Sequence, residues 1–143
     1  MRHYRSAIIG CGQIGCRYSV NKEVMGIFTH AEAYSACKDV TLEGVCDLDS
    51  AALSECAEKW NVDNTYNHVK SLLEDGPWDI VSICTPDSTH TELLHTVLDS
   101  GQARAIFLEK PLALKSEAAL KAAQHAHDSK IPVQVNYTRR FDP

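Results

Sequence analysis

The chain lacks an excess of positive charge. Its 143 residues carry 14 Lys and Arg against 19 Asp and Glu, which gives a formal net charge of -5 at pH 7. Proteins that bind nucleic acid or an anionic membrane surface need a basic face that neutralises phosphate groups. The charge balance therefore argues against both kinds of partner and favours a small molecule.

Long apolar runs are also missing. No stretch approaches the ~20 residues that cross a bilayer, and the polar N-terminus is not followed by the apolar core of a signal peptide. We therefore expect a cytoplasmic protein without a membrane partner. Hydrophobic residues, 44% of the chain, are spread over short segments. This composition is typical of one globular domain, which we place over residues 1–143.

Paired metal-ligand spacings are absent as well. The six cysteines are Cys11, Cys16, Cys37, Cys46, Cys56 and Cys84. They form no C-x-x-C pair and most fall within apolar segments, so we interpret them as reduced core residues. His125 and His127 are two residues apart on a predicted helix and point to different faces, so they cannot share a metal ion. The sequence predicts neither a disulfide framework nor a metal site.

Three closely spaced glycines follow the first apolar segment. Residues 5–10 are predicted as a strand, and Gly10-Cys11-Gly12-Gln13-Ile14-Gly15 continues from it as a G-x-G-x-x-G motif. The first glycine permits a tight turn, the second leaves room for a pyrophosphate, and the third lets the next helix pack closely on the sheet. Glycines alone are a weak signal, but their place directly after a first strand strengthens it.

The rest of the chain alternates between strand and helix patterns. Further strands are predicted at 40–47, 65–67, 79–85, 103–108 and 132–137, with helices between them and a loop at 19–29. Thr29, Asp49 and Ser116 are the predicted N-caps of three helices. This alternation indicates an α/β fold, a doubly wound parallel sheet with helices on both faces. By analogy with nucleotide-binding Rossmann folds, the expected strand order is 3-2-1-4-5-6.

Ligands of such sheets gather at the carboxyl ends of the strands, near the switch point between the first and fourth strands. Gly12, Asp47, Thr85-Pro86, Lys110 and Asn136 all fall at predicted carboxyl ends. Because these ends meet at one edge of the sheet, the sequence predicts a single binding site there.

Asp47 is the predicted ribose ligand. A carboxylate accepts hydrogen bonds from both adenosine ribose hydroxyls and repels a 2′-phosphate, which favours NAD over NADP. No Lys or Arg follows it in Leu48-Asp49-Ser50. The acid lies further than the usual ~20 residues from the glycines, so the 19–29 loop is an insertion. The alternative is that Asp47 only caps a helix beside Asp49.

Lys110 and His90 each allow two interpretations. Lys110 can donate a hydrogen bond to a substrate oxygen and help move its proton, and Pro111, whose peptide bond can be cis, can fix the backbone. The alternative is a surface lysine in a loop. His90, on the first turn of a helix, either lines the pocket or has a capping or packing role.

Together, these motifs resemble the N-terminal domain of the glucose-fructose oxidoreductase and inositol dehydrogenase (Gfo/Idh/MocA) family, over nearly the whole chain. The resemblance rests on residues 9–15, 45–47, 83–86 with His90, 109–111 and 136–143. It implies hydride transfer between a nicotinamide and a carbinol carbon of a sugar, cyclitol or related polyol, with Lys110 as the catalytic residue. The cofactor-binding residues that we predict are Gly10, Gly12, Gln13, Ile14, Gly15, Asp47, Thr85, Pro86, His90, Glu109, Lys110 and Asn136.

Members of that family continue into a second α/β domain. The resemblance implies that this domain supplies most substrate contacts, a histidine partner for the lysine and the interface of a homo-oligomer. We therefore expect the chain alone to bind NAD(H) without turnover. Two alternatives stay open: a dinucleotide-sensing regulatory module without catalysis, and a Rossmann protein that binds another adenosine-containing ligand with Lys110 incidental.

Overall fold

A six-stranded parallel sheet forms the centre of the computed structural model, which describes residues 3–18 and 26–141. The strands are β1 (Tyr4–Ile9), β2 (Val40–Cys46), β3 (Asn64–Tyr66), β4 (Ile80–Ile83), β5 (Ile106–Glu109) and β6 (Val133–Asn136). Every neighbouring pair is parallel, and the strand order is β3-β2-β1-β4-β5-β6. The predicted fold and strand order are confirmed.

Within these described ranges, five α-helices connect the strands. They are α1 (His30–Ala36), α2 (Ser50–Trp60), α3 (Val69–Glu74), α4 (His90–Ser100) and α5 (Ser116–Ser129). The short helix predicted after the glycines is a single π-type turn, Gln13–Arg17. Most of the predicted 19–29 loop lies outside the described residues. Within the described ranges, no helix has the length and apolarity required to cross a membrane.

Side chains of β1 alternate between two layers of helices. Ile8 packs on one face with buried residues of α1 and α2, such as Tyr34 and Leu53. Ala7 and Ile9 face the other way and pack with the buried side chains of α3, α4 and α5. Since strand side chains point alternately to opposite faces, this central strand anchors both layers of the core.

Two of the three predicted helix caps are confirmed. The Thr29 hydroxyl accepts a hydrogen bond from the Glu32 N–H at 3.1 Å, and the Glu32 carboxylate accepts one from the Phe28 N–H at 2.8 Å. The Asp49 carboxylate accepts hydrogen bonds from the first turn of α2. Ser116 as a cap is wrong. Lys115 is the N-cap of α5, because its backbone is extended and its carbonyl already accepts a hydrogen bond from the Ala119 N–H.

The cysteine prediction is wrong at three positions. Cys16 and Cys56 form a disulfide, with their Cα atoms 5.8 Å apart, and Cys37 is exposed. The π-type turn and α2 pack on the same face of the sheet, which brings together two thiols 40 residues apart in sequence. Cys11 is a free, buried neighbour whose sulfur lies within 4.8 Å of both. Burial, together with the nearby Asp47 charge, raises the pKa of the Cys11 thiol to about 12.

Candidate functional site

The glycine turn, residues 10–15, leaves the end of β1 with close backbone packing. Gly10 has a φ of 100°, in the left-handed region that glycine adopts without steric cost. A Cβ on Gly10 would stand 2.7 Å from the carbonyl carbon of Cys84, just past the end of β4. A Cβ on Gly15 would collide with the carbonyl oxygen of Gly10. These two positions therefore require glycine for the turn and for the packing of the segment that follows it.

Gly12 is in a different environment. Its φ is an ordinary -72°, and beyond Gly12 and its two chain neighbours no atom of the described residues lies within 4 Å of the position that a Cβ would take. Gln13 and Ile14, the next two residues, are exposed. The middle of the glycine turn thus presents bare backbone to open space, which is the feature that close approach of a pyrophosphate requires.

Asp47 connects the end of β2 to the glycine turn. Its Oδ2 accepts a hydrogen bond from the Cys11 N–H at 2.7 Å, and its Oδ1 accepts one from the Asp49 N–H at 2.9 Å. Asp49, and not Asp47, is the N-cap of α2. An ionised carboxylate has about four lone-pair positions, so Asp47 keeps acceptors for further hydroxyl groups.

The turn after β4 contains Thr85 and Pro86, and His90 lies directly below it. The His90 ring has no exposed surface. Its Nε2 is 2.9 Å from the Thr85 carbonyl oxygen, and its Nδ1 is 2.7 Å from the Pro111 carbonyl oxygen. His90 thus connects the turn after β4 to the turn after β5. This is a packing role, and its direct contact with a cofactor stays a prediction.

Glu109, the last residue of β5, is only 7% exposed. Its Oε1 accepts hydrogen bonds from His30 Nε2 at 3.0 Å and from Asn136 Nδ2 at 2.5 Å. Burial raises the pKa of the Glu109 carboxyl, but the hydrogen bonds from His30 and Asn136 outweigh it and leave the pKa below its ordinary value. Glu109 and Asn136 are therefore engaged with protein groups, and their contact with a cofactor stays a prediction.

Lys110 is exposed at the same edge of the sheet, between the buried Glu109 and the half-buried Pro111. The Lys110–Pro111 peptide bond is cis. Lys110 is thus the exposed residue of a turn in which the residues before and after it both contact buried histidine side chains. Its exposure is consistent with either sequence interpretation, a substrate contact or a surface lysine.

Hydrogen bonds join the predicted site residues across the sheet. Cys11 to Asp47 links the ends of β1 and β2, and Asn136 to Glu109 links β6 and β5. The His90 ring contacts the turns after both β4 and β5. The structure therefore brings the predicted residues to one edge of the sheet, the carboxyl edge.

Sequence reasoning missed a buried polar cluster under this edge. His30, Tyr34 and Ser82 are each at most 8% exposed and connect to Glu109. Two signals pointed to the cluster: Ser82 is the single hydroxyl residue of the apolar strand β4, and His30 directly follows the N-cap Thr29.

A parallel sheet in this order, with a glycine turn after its first strand and an acid after its second, defines the dinucleotide-binding Rossmann class. Residues 4–137 match the family model described as "Oxidoreductase family, NAD-binding Rossmann fold". The chain belongs to this family, Gfo/Idh/MocA, as the sequence motifs indicated.

Curated relatives are longer than this chain. The inositol 2-dehydrogenase of Rhizobium meliloti is 31% identical over 140 residues, which are 97% of this chain and 37% of the relative. The scyllo-inositol 2-dehydrogenase (NAD(+)) of Bacillus subtilis is 31% identical over 139 residues, with the same two shares. The chain thus spans little more than a third of the length of these relatives.

Solved structures show the same similarity. The WlbA dehydrogenase from Chromobacterium violaceum, in complex with NADH and UDP-GlcNAcA, superposes with a TM-score of 0.83 at 25% identity, over 99% of this chain and 37% of that one. The myo-inositol 2-dehydrogenase from Lactobacillus plantarum gives a TM-score of 0.81 at 26% identity, over 99% and 38%. The chain is therefore similar to the NAD-binding part of larger dehydrogenases.

Proposed function

We propose that this chain is the cofactor-binding part of an NAD-dependent oxidoreductase acting on the CH–OH group of a polyol, cyclitol or sugar. The observation that carries the proposal is the bare backbone at Gly12 beside a carboxylate, Asp47, that is hydrogen-bonded to the same turn at 2.7 Å. One edge of the sheet thus offers room for a pyrophosphate and acceptors for ribose hydroxyls.

The residues of the glycine turn divide the binding of the pyrophosphate between them. Gly10 and Gly15 fix the course of the backbone, and Gly12, Gln13 and Ile14 present it to the phosphates. Asp47 accepts hydrogen bonds from the ribose hydroxyls, and its negative charge disfavours the 2′-phosphate of NADP. The cofactor that this edge prefers is therefore NAD.

Thr85, Pro86 and Lys110 form the other side of the proposed site. The nicotinamide, when bound, supplies the hydride acceptor or donor. The Lys110 ammonium carries hydrogen-bond donors on a flexible stem and donates to the substrate hydroxyl oxygen. This bond stabilises the negative charge that develops on the oxygen while the hydroxyl proton passes to a separate partner. Contacts made by His90, Glu109 and Asn136 in the protein interior stabilise this side of the site.

The names of the relatives support the proposed substrate class, since several are dehydrogenases of inositol and one, from Escherichia coli, is a D-glucoside 3-dehydrogenase. Because the chain spans about 37% of the inositol dehydrogenases, we place the remaining substrate contacts, a proton-transfer partner for Lys110 and a homo-oligomer interface in a second domain outside it. The chain alone then binds NAD(H) without turnover.

Titration with NADH and with NADPH, followed by nicotinamide fluorescence, tests the proposal. We expect NADH to bind in the micromolar range, as is usual for a small ligand of this kind, and more tightly than NADPH. Gly12→Val should abolish binding, because its side chain fills the space left for the pyrophosphate, whereas Lys110→Ala should retain it. Ala123→Val, at an exposed position of α5, is the matched control. Absence of binding for both cofactors contradicts the proposal.

A further inference from the structure

Two buried histidines contact the residues on either side of Lys110. His30 Nε2 lies 3.0 Å from the Glu109 carboxylate, and His90 Nδ1 lies 2.7 Å from the Pro111 carbonyl oxygen. We propose that His30 and His90 are positioning residues for Lys110, each fixing one end of the turn formed by residues 109–111. This inference rests on the role proposed above for Lys110.

The first contact belongs to a continuous buried chain of hydrogen bonds. Tyr34 Oη lies 2.6 Å from Ser82 Oγ, which in turn lies 2.8 Å from His30 Nδ1. Because the ionised Glu109 carboxylate only accepts, His30 donates to it from Nε2. A neutral His30 ring then accepts at Nδ1 from the Ser82 hydroxyl, and Ser82 accepts from Tyr34. Every group in this chain has a partner.

Several contacts prevent Glu109 from leaving this chain. Asn136 donates to the same carboxylate oxygen as His30, and the nearby backbone of Lys110 also helps to lower the pKa of the Glu109 carboxyl. The His30 ring packs on Phe107 of β5, with 4.7 Å between the ring centroids. Moving Glu109 would strand buried polar groups without partners, which is strongly unfavourable. The residue before Lys110 is therefore fixed.

The second contact fixes the residue after Lys110. The His90 ring has no exposed surface and lies between the carbonyl oxygens of Pro111 and Thr85. Both oxygens only accept and a neutral ring has one N–H, so the ring donates from Nδ1 over the shorter distance of 2.7 Å to Pro111 and packs against Thr85. It therefore sets the distance between the turn that carries Lys110 and the turn that we assign to the dinucleotide wall. Misplacing a reacting group by about 1 Å can cost about a hundredfold in rate, so such a connection matters for Lys110.

The geometry allows a test with crossed amide substitutions. The side-chain amide of Asn can replace the Nδ1 hydrogen bond of a histidine, and that of Gln can replace the Nε2 hydrogen bond. At His30 the contact next to Lys110 is made by Nε2, so His30→Gln keeps it and His30→Asn loses it. At His90 that contact is made by Nδ1, so His90→Asn keeps it and His90→Gln loses it.

Both histidines are the first residues of their helices, α1 and α4. Differences in helix propensity between Asn and Gln therefore act in the same direction at both positions. If the histidines have a merely structural role, the same amide should perturb Lys110 more at both positions. If they position Lys110, Asn should perturb it more at one position and Gln more at the other.

The readout is NMR of the chain without cofactor. Reductive ¹³C-methylation labels the lysines, and the Lys110 signal is assigned by its loss in Lys110→Arg. Hydrogen exchange of the Lys110 amide is measured on unmethylated protein. His30→Asn and His90→Gln should shift the Lys110 signal and speed its amide exchange about fivefold, the factor that one lost hydrogen bond gives. His30→Gln and His90→Asn should stay within about twofold of the wild type.

The same order of amides at both positions, or an unmoved Lys110 signal in all four variants, overturns the inference. If a histidine variant fails to fold, Asn136→Ala is the milder test, since it removes one donor to Glu109. It should move the Lys110 signal, and Gln134→Ala, an exposed position of β6, should not. If Asn136→Ala leaves that signal unchanged, the Glu109 contact does not position Lys110.

NADH titration of the same variants separates this inference from the proposed function. The crossed pattern at Lys110 without any cofactor binding would leave the positioning intact and contradict the function. Cofactor binding without the crossed pattern would support the proposed function and contradict the positioning of Lys110.

Discussion

On the β1–β2 side of the carboxyl edge, position is set mainly by the backbone, whereas on the β4–β6 side it is set by buried side chains. The glycine turn keeps its shape because a Cβ on Gly10 or Gly15 would overlap main-chain atoms. The turn that carries Lys110 keeps its shape because His30, His90 and Asn136 bond to its residues.

This difference follows the chemistry proposed for each side. A pyrophosphate needs bare backbone, which the excluded Cβ atoms provide, and the Asp47 side chain adds one hydrogen bond to that turn. A lysine that takes part in proton transfer must be positioned accurately while its ammonium stays free to reach the substrate. The hydrogen bonds that fix its position are therefore made to the neighbouring residues. The predictions below test whether the two sides depend on these two different sources of order.

The largest effect is expected from Gly10→Ala. A left-handed φ and an overlap with backbone atoms of Cys84 and Thr85 together should lower the free energy of unfolding by about 4 kcal/mol. Gly12→Ala, with an ordinary φ and open space, should change it by no more than about 0.5 kcal/mol. Urea denaturation measures both. Equal destabilisation by the two substitutions would show that close backbone packing does not set this side.

Reduction of the Cys16–Cys56 disulfide should have the next largest effect. The bond closes a loop with a sequence separation of 40 residues, and opening it should lower the free energy of unfolding by about 3 kcal/mol. Urea denaturation with and without dithiothreitol measures the difference, and Cys56→Ser, which cannot form the bond, should show none.

A thiol count checks the bond itself. In urea without reductant, Cys11, Cys37, Cys46 and Cys84 should react with a thiol reagent, and in the native protein Cys37 alone among these should react, because the other three are buried. Reaction of Cys16 or Cys56 in unreduced protein would contradict the disulfide.

Asp47→Asn should change cofactor choice more than stability. Asn keeps an acceptor for the Cys11 N–H but loses the charge that repels a 2′-phosphate, so the preference for NADH over NADPH should fall about tenfold, as expected for one charged contact. Fluorescence titration with both cofactors measures the ratio of the dissociation constants. Asp49→Asn, which retains a cap for α2, is the control. An unchanged ratio in Asp47→Asn would remove Asp47 from the ribose site.

The smallest effect is confined to acid and concerns the β4–β6 side. Since the pKa of Glu109 is depressed in the folded state, its ionised form stabilises the fold above its unfolded pKa of about 4.3. This contribution is lost as the pH falls through the lower folded pKa. Glu109→Gln lacks this contribution. Its deficit in the free energy of unfolding relative to the wild type should therefore shrink between pH 5 and the acid limit of folding, a range of about two pH units.

Urea denaturation at several pH values measures that deficit. Glu117→Gln, at an exposed position of α5, is the control and should show no comparable trend. A Glu109→Gln deficit that stays constant with pH would mean that the carboxylate charge does not matter on this side.

The backbone-built side was the more predictable one from sequence. The glycine spacing, the acid after β2 and the Asp49 cap are local patterns, and the structure places each where the pattern indicates. Boundaries were less accurate: β4 was predicted over 79–85 and spans Ile80–Ile83. Local propensity does not fix where a ladder of hydrogen bonds ends.

The β4–β6 side, which is positioned by buried side chains, could largely not be predicted from sequence. His30 bonds to Ser82 across 52 residues of sequence and to Glu109 across 79, and no local periodicity encodes such pairings. The disulfide was missed for the same reason, since Cys16 and Cys56 meet only when the π-type turn and α2 pack on one face. Sequence patterns identified the exposed Lys110 but not the buried groups beneath it.

The buried chain from Tyr34 to Glu109 also has a consequence for sheet assembly. Ser82 pairs in register with Phe107, two residues before Glu109. A slip of one residue between β4 and β5 would turn the Glu109 side chain to the opposite face and leave His30 without its acceptor. Apolar side chains tolerate such a slip far better than a directional donor does. The cluster thus favours one register between β4 and β5 and destabilises the registers that are shifted by one residue.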